Sequence, residues 1–303
     1  MKNVLVIGGT GFLGSAIVRE LARRPASADF CFTLPTRRRE RAKHLLVLPT
    51  ASVVEADVHD PAALAGLMSG QDAVISLVGI LKGGEGEPYG KGFARAHVKL
   101  PQKIAVAART AGVRRVLHVS ALKAATDAPS GYLRSKAAGE AVLREAGLDL
   151  TLFRPSVIFG AGDSFLTLFA RLARIAPFFP LAGADARFQP VWVEDVAAAV
   201  ADSLLRPESI GAAYDLCCPK QYSLRQLVSY AAALGGHPRL VIGLPEAVAW
   251  LQAWAMEFIP NGPMTRDNIR SMRVTSVCDV GCTLPFGRVA TPLEIVAPTY
   301  LST

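Results

Sequence analysis

No stretch of this 303-residue chain reaches the ~18 uninterrupted apolar residues that a helix needs to cross a bilayer. The nearest approach, LPEAVAWLQAWAMEFIP over residues 244–260, is bounded by prolines and carries Glu246 and Glu257. The initial MKNVLVIGG is apolar, but glycines break it at once and no small-residue cleavage site follows. It therefore reads as a buried strand rather than a signal peptide. Cysteine is scarce and odd in number, and five residues argue against a disulfide framework and for a reducing compartment. Cys217 and Cys218 are adjacent, and Cys278 and Cys282 are four apart, yet no histidine lies near either pair. Zinc sites use tighter, repeated ligand pairs. The cysteines are expected to be small buried hydrophobes, and no metal is expected. The five histidines form no HExxH-type cluster. Charged residues make up only 19% against 51% apolar, a globular balance that excludes disorder. The net charge of +8 comes largely from arginine, with a local concentration in TRRRERAK at 36–43. No aromatics interleave there to stack bases, so no nucleic-acid partner is expected. A cytoplasmic location is expected.

What is present is a rhythm. NVLVIGG, DFCFTLPT, SVVEAD, DAVISLVGI, VRRVLHVSAL and LDLTLFRPSVIFG read as strands separated by helical patterns such as FLGSAIVRELARR, FARAHVKLPQKIAVAARTAG and YLRSKAAGEAVLREAG. Strands buried on both faces and alternating with amphipathic helices imply a parallel sheet covered on both sides. The fold class is therefore α/β, a Rossmann-like doubly wound sheet, with ligands at the carboxyl ends of its strands. Helical patterns dominate beyond residue 160. Residues 1–160 are expected to form the nucleotide-binding domain and 161–303 a smaller mixed cap that returns some elements to the sheet.

GGTGFLG sets Gly8, Gly11 and Gly14 directly after the first strand and at the opening of a helix. Glycines there permit a tight turn, close approach of backbone N–H groups to a pyrophosphate, and close helix–strand packing. The helix N-terminus adds partial positive charge. Thr10 and Phe12 complete the turn. An NAD-selective site would place an acidic residue at the end of strand two. Here Pro35, Thr36, Arg37, Arg38 and Arg39 follow, and Asp29 precedes the strand. Guanidinium groups suit a 2′-phosphate, so NADP(H) is preferred, with NAD(H) as the alternative. Arg37 is the first candidate and Arg38 the second; a solvated basic helix start is the competing explanation. Asp57 and Val58 should border the adenine, and Leu77, Val78 and Gly79 the ribose and nicotinamide.

GYLRSKAAGE at 131–140 sets Tyr132 four residues before Lys136. About 0.2 such pairs are expected by chance in this composition, so the spacing alone decides nothing. The ordered set GGTGFLG, AD at strand three, HVSAL, YLRSK and FRPSVIFG resembles the extended and atypical short-chain dehydrogenase/reductase superfamily over nearly the whole chain. HVSAL with YLRSKAAGE, FRPSVIFGAGDSFL, PVWVEDVA and GPMTRDN resembles, more narrowly, the NADPH-binding accessory subunit of respiratory complex I and its bacterial relatives. The resemblance implies Tyr132 as general acid/base, Lys136 as the ribose ligand that lowers the tyrosine pKa, and Ser120 as the group orienting a substrate carbonyl. His97 falls where extended members usually carry an asparagine, and would either relay a proton or be a surface residue. Ser156, Val157 and Ile158 should approach the nicotinamide, Pro155 at the start of the crossover should also contact the cofactor, and Phe165 and Phe188 should line a mostly apolar cleft. The implied function is that of a small-molecule oxidoreductase. The alternatives are a cofactor-holding subunit associated with complex I, peripheral to the inner membrane, and an NAD-dependent epimerase or dehydratase.

Overall fold

The computed structural model describes residues 2–24, 30–259, 262–279 and 283–302. Asp29 and Cys282 lie outside them. The N-terminal series runs β1 (Lys2–Ile7), α1 (Phe12–Arg23), β2 (Phe30–Thr36), β3 (Ala51–Glu55), α2 (Pro61–Met68) and β4 (Ala73–Ser76). It continues with α3 (Leu100–Thr110), β5 (Arg115–Val119), α4 (Gly131–Glu145) and β6 (Asp149–Pro155). After α5 (Leu166–Ile175), the chain re-enters this layer through α6 (Val193–Leu205) and β7 (Ala213–Leu216). The seven strands are parallel and ordered β7-β6-β5-β4-β1-β2-β3. Strand order reverses between β1 and β4, which opens a crevice at their carboxyl ends.

Side-chain alternation explains why both sheet faces are covered. Val4, Val6, Ile75 and Leu117 join one core with α1 and α6. Leu5, Ile7, Val74 and Val116 point the other way into a core with α2, α3 and α4. Successive strand residues face opposite sides, so a strand apolar at every position must be buried twice.

The helix expected from FARAHVKLPQKIAVAARTAG is interrupted. Residues Ala94–Lys99 form a π-turn before α3. Pro101 has no N–H to offer the carbonyl four residues back, that of His97, and its ring would collide with that oxygen in α geometry. Gly139 of α4 packs into this turn, where a Cβ would lie 2.1 Å from the His97 oxygen.

The remaining C-terminal elements, α7 (Leu224–Leu234), α8 (Glu246–Glu257) and α9 (Arg266–Met272), build a smaller lobe with a strand pair, Phe178–Leu181 beside Leu240–Gly243. Phe165 packs on Phe169 and Phe188 within the lobe's own cores. One expectation fails here. Cys217 and Cys278 are not separate thiols but a disulfide, with Cα atoms 6.2 Å apart. They are distant in sequence, and only the fold brings them together beneath Leu122. Among the described residues, no helix is long and apolar enough to cross a membrane.

Candidate functional site

The glycine turn joins β1 to α1. Gly8 sits at φ +88°, which favours glycine, and a Cβ there would press on Leu77 at 3.3 Å. At Gly14 a Cβ would lie 2.3 Å from the Gly8 oxygen, so α1 can cross the turn only with glycine at that position. Gly11 is the N-cap of α1 and has no side chain to occupy the first amides. The turn is thus a bare cradle of N–H groups at a helix N-terminus, the form an anionic pyrophosphate fits. Gly9 is equally constrained, since a Cβ would meet Leu34 at 2.9 Å and the Val6 oxygen at 3.0 Å. That requirement was missed because Gly9 lies outside the GxxGxxG spacing. Thr10, Gly11 and Phe12 also border a cavity of about 440 Å³ with Ser15, His44 and Trp192.

Arg37 and Arg38 lie exposed just beyond β2. Across from them, the Asp57 carboxylate accepts from the His59 N–H at 3.0 Å and pairs with Arg95 at 3.7 Å. The His59 N–H bond, with Arg95 and Arg37 nearby, holds Asp57 below its ordinary value. Val58 packs against the second core. Leu77, Val78 and Gly79 follow β4, with Leu77 on the first core and Val78 on the second. Pro155 ends β6. The Ser156 hydroxyl is committed to Ser276, donating to its carbonyl at 2.9 Å, and the Val157 carbonyl accepts from Val191.

Ser120 follows β5, and Tyr132 and Lys136 lie one turn apart on α4. The Lys136 ammonium donates to the Val119 carbonyl at 3.2 Å, one residue before Ser120. Gly79 leaves room for it, since a Cβ there would lie 3.3 Å from the same nitrogen. Burial drives the Lys136 pKa down to about 8, partly opposed by the Glu140 carboxylate one turn on. Glu140, itself buried, is clamped by Arg154 of β6 at 2.9 Å. The Ser120 hydroxyl is buried and has no hydrogen-bond partner among the described residues. A buried hydroxyl without a partner costs free energy; atoms of His59, Gln71, Thr167 and Ser271 are likewise without one among the described residues.

In the protein alone, burial pushes the Tyr132 pKa up to about 12. Its ring stands edge-on to His97 at 5.6 Å and to Phe93 at 6.1 Å. His97 is no surface residue. The Ile80 N–H donates to its Nε2 at 3.1 Å, so Nδ1 carries the proton and donates to Ser135 Oγ at 2.8 Å. Ser135 in turn donates to the Tyr132 carbonyl at 2.7 Å. Burial, with Lys136 nearby, holds His97 down at about 2. Both ring nitrogens are occupied and the ring is neutral, so His97 pins the Tyr132 helix to the strand-four loop.

Asp267 of α9 was not singled out as a site residue. Its buried carboxylate accepts from the N–H groups of Gly131 at 2.7 Å and Tyr132 at 3.0 Å, capping α4 from the other lobe. The only trace in the sequence is the TRDN pattern, where Thr265 and Asn268 form the capping box that starts α9. A cavity of about 370 Å³ is lined by Lys82, Phe93, Glu257, Ile259, Thr265 and Asp267, the last of which holds the Tyr132 N–H.

Comparison with known proteins agrees with this architecture. A family described as NAD(P)H-binding matches residues 8–164. The mitochondrial NADH dehydrogenase [ubiquinone] 1 alpha subcomplex subunit 9 of Rattus norvegicus is 31% identical over 304 residues, spanning 96% of this chain and 77% of that one. A ceramide reductase of Caulobacter vibrioides is 31% identical over 259 residues, 83% of this chain and 78% of that one. The NADPH complex of an NADPH-dependent quinone oxidoreductase from Escherichia coli shares the fold, with a TM-score of 0.77 at 23% identity, covering 98% of this chain and 99% of that one. With the glycine cradle at β1 and the Ser-Tyr-Lys set that follows β5, the chain belongs to the NAD(P)H-binding family within the short-chain dehydrogenase/reductase superfamily.

Proposed function

We propose that the protein is an NADP(H)-dependent reductase of a small carbonyl substrate, with Tyr132 as general acid, Lys136 as ribose ligand and Ser120 as the group that orients the carbonyl. The observation that carries this reading is the Ser120 hydroxyl, buried without a partner one residue beyond the Val119 carbonyl that Lys136 bonds. In this reading Gly8, Thr10, Gly11, Phe12 and Gly14 hold the pyrophosphate. Arg37 and Arg38 take the 2′-phosphate, Asp57 and Val58 border the adenine, and Leu77, Val78, Gly79, Pro155, Ser156 and Val157 enclose the ribose and nicotinamide. The reduced nicotinamide supplies the hydride. Ser120 donates to the substrate carbonyl, and Tyr132 gives its phenolic proton to the same oxygen as the alcohol forms. A pKa of about 12 keeps Tyr132 protonated and ready to donate. Lys136, at about 8, is charged at neutral pH and stabilises the phenolate left behind.

Tyr132→Phe should abolish turnover on a true carbonyl substrate while leaving NADPH affinity unchanged. Full activity in that variant would end the assignment. A second reading, a subunit that holds NADP(H) as a structural cofactor in a respiratory complex at the inner membrane, is favoured by the identity with the complex I subunit along 96% of the chain. Nucleotide exchange separates the two. Protein loaded with NADPH and chased with NADP+ should exchange within seconds if it turns over, and retain its nucleotide for hours if the cofactor is structural.

A further inference from the structure

The two faces of α8 have opposite characters. Ala249 and Ala253 are buried against Ala182 and Ile269. Val248, Leu251, Trp254 and Phe258 recur at helical spacing on the outer side, the last three 63%, 47% and 72% exposed. Trp254 and Phe258 hold each other edge-on at 5.1 Å. The apolar surface does not end with the helix. Gln252 donates to the Pro180 carbonyl, setting α8 beside the strand pair, whose Phe178 and Leu240 are register partners, 49% and 69% exposed. Exposed apolar side chains gathered in this number exceed the scattered exposed hydrophobics of an ordinary surface.

Two stretches beside it are free of carboxylates. Residues 164–184 and 216–245, which build this side of the lobe, contain no aspartate or glutamate. Arg171 and Arg174 stand exposed on the last turns of α5. Arg239, next to Leu240, donates to the Ala173 carbonyl and so joins them. No ion pair engages these three arginines among the described residues. The two carboxylates of α8 itself are neutralised, Glu246 by Arg273 at 2.6 Å and Glu257 by Arg266 at 2.9 Å.

We propose that the outer face of α8 and the adjoining strand pair form a docking surface for an anionic lipid bilayer, with Leu251, Trp254 and Phe258 entering the headgroup boundary and Arg171, Arg174 and Arg239 meeting the headgroups. An apolar stripe carrying an aromatic at its edge, flanked by unpaired cations, is the chemistry of an interfacial helix. A second copy would bring the same arginines against themselves. Ile259, 56% exposed, lines the cavity that Asp267 borders, so the docking face and that cavity share a border. The proposal is independent of the reaction assigned above.

Co-sedimentation of the full chain with vesicles tests it. The vesicles would be phosphatidylcholine alone or phosphatidylcholine with about one-third phosphatidylglycerol. Binding should favour the anionic vesicles at least tenfold and weaken as salt is raised. The triple change Leu251→Ser, Trp254→Ser, Phe258→Ser should remove vesicle binding without altering NADPH affinity or thermal stability, since these side chains are exposed. Arg171→Glu with Arg174→Glu should lose the preference for anionic vesicles, about fivefold or more per arginine. No sedimentation with either vesicle overturns the proposal, as does equal binding to both. A concentration-dependent dimer dissolved by Leu251→Ser overturns it in favour of a second copy.

Discussion

Replacing Lys136 by methionine should stabilise the nucleotide-free protein, although it removes a residue assigned to the site. The lysine is buried, 3% exposed, and its pKa falls from 10.5 to about 8. A fall of that size means that folding disfavours the charged form by about 3 kcal/mol. Methionine fills a similar volume without the charge, but forfeits the hydrogen bond to the Val119 carbonyl, worth about 1 kcal/mol. The expected net gain at pH 7 is about 2 kcal/mol, which for a chain of this length raises the melting temperature by roughly 3 °C. The sign of the pH dependence follows from proton binding. Between pH about 8 and 10.5 the unfolded chain keeps a proton that the folded lysine has released, so wild-type stability rises with pH. The advantage of the methionine variant is therefore full below pH 8 and fades toward pH 10.5. Saturating NADPH should reverse the order, because a ribose ligand lost from the variant weakens binding and with it the ligand's contribution to stability. Urea denaturation of both proteins at pH 7 and pH 10, with and without NADPH, reads all three effects. A variant less stable than wild type without nucleotide at pH 7, or a gap that does not narrow with pH, would refute the reasoning.

Arg37→Ala with Arg38→Ala should weaken NADPH binding by about tenfold to a hundredfold, the value of one or two charge-assisted bonds, and leave NADH almost unchanged. Fluorescence titration with both nucleotides measures the ratio, and an equal loss for both would remove the arginines from the 2′-phosphate. Asp267→Asn leaves one of the two α4 amides facing an NH2 group. It should cost about 2 kcal/mol in denaturant unfolding and lower kcat more than it changes nucleotide affinity. The disulfide closes a separation of 61 residues. Reducing it, or making Cys217→Ser, should cost about 4 kcal/mol, and a melting temperature indifferent to reductant in the wild type would contradict the bond.

The parallel sheet and the glycine cradle were legible because their causes are local and repeated. Apolar strands alternate with amphipathic helices, and the GGTGFLG turn needs small residues within one short loop. The i, i+4 spacing of Tyr132 and Lys136 was legible for the same reason, since a single helix carries both. The environment of the pair was not. Whether Tyr132 is lowered by its lysine or raised by burial depends on Phe93 and His97 closing over it, and those residues arrive from another helix. Likewise, an odd cysteine count argued for thiols, because nothing in the sequence says that Cys217 and Cys278 end as neighbours under Leu122.

By itself, then, the sequence determined what short-range chemistry determines: the strand and helix periods, the anion-binding turn, the basic end of β2 and the spacing of the Ser-Tyr-Lys set. Only the tertiary structure decided how those groups behave. It brought Asp267 from the far lobe to cap the Tyr132 helix, locked both nitrogens of His97, and buried Lys136 deeply enough to move its pKa. It also turned one face of α8 outward. Desolvation and long-range hydrogen bonds depend on which distant segments pack together, and that is set by the whole sum of core contacts rather than by any local pattern.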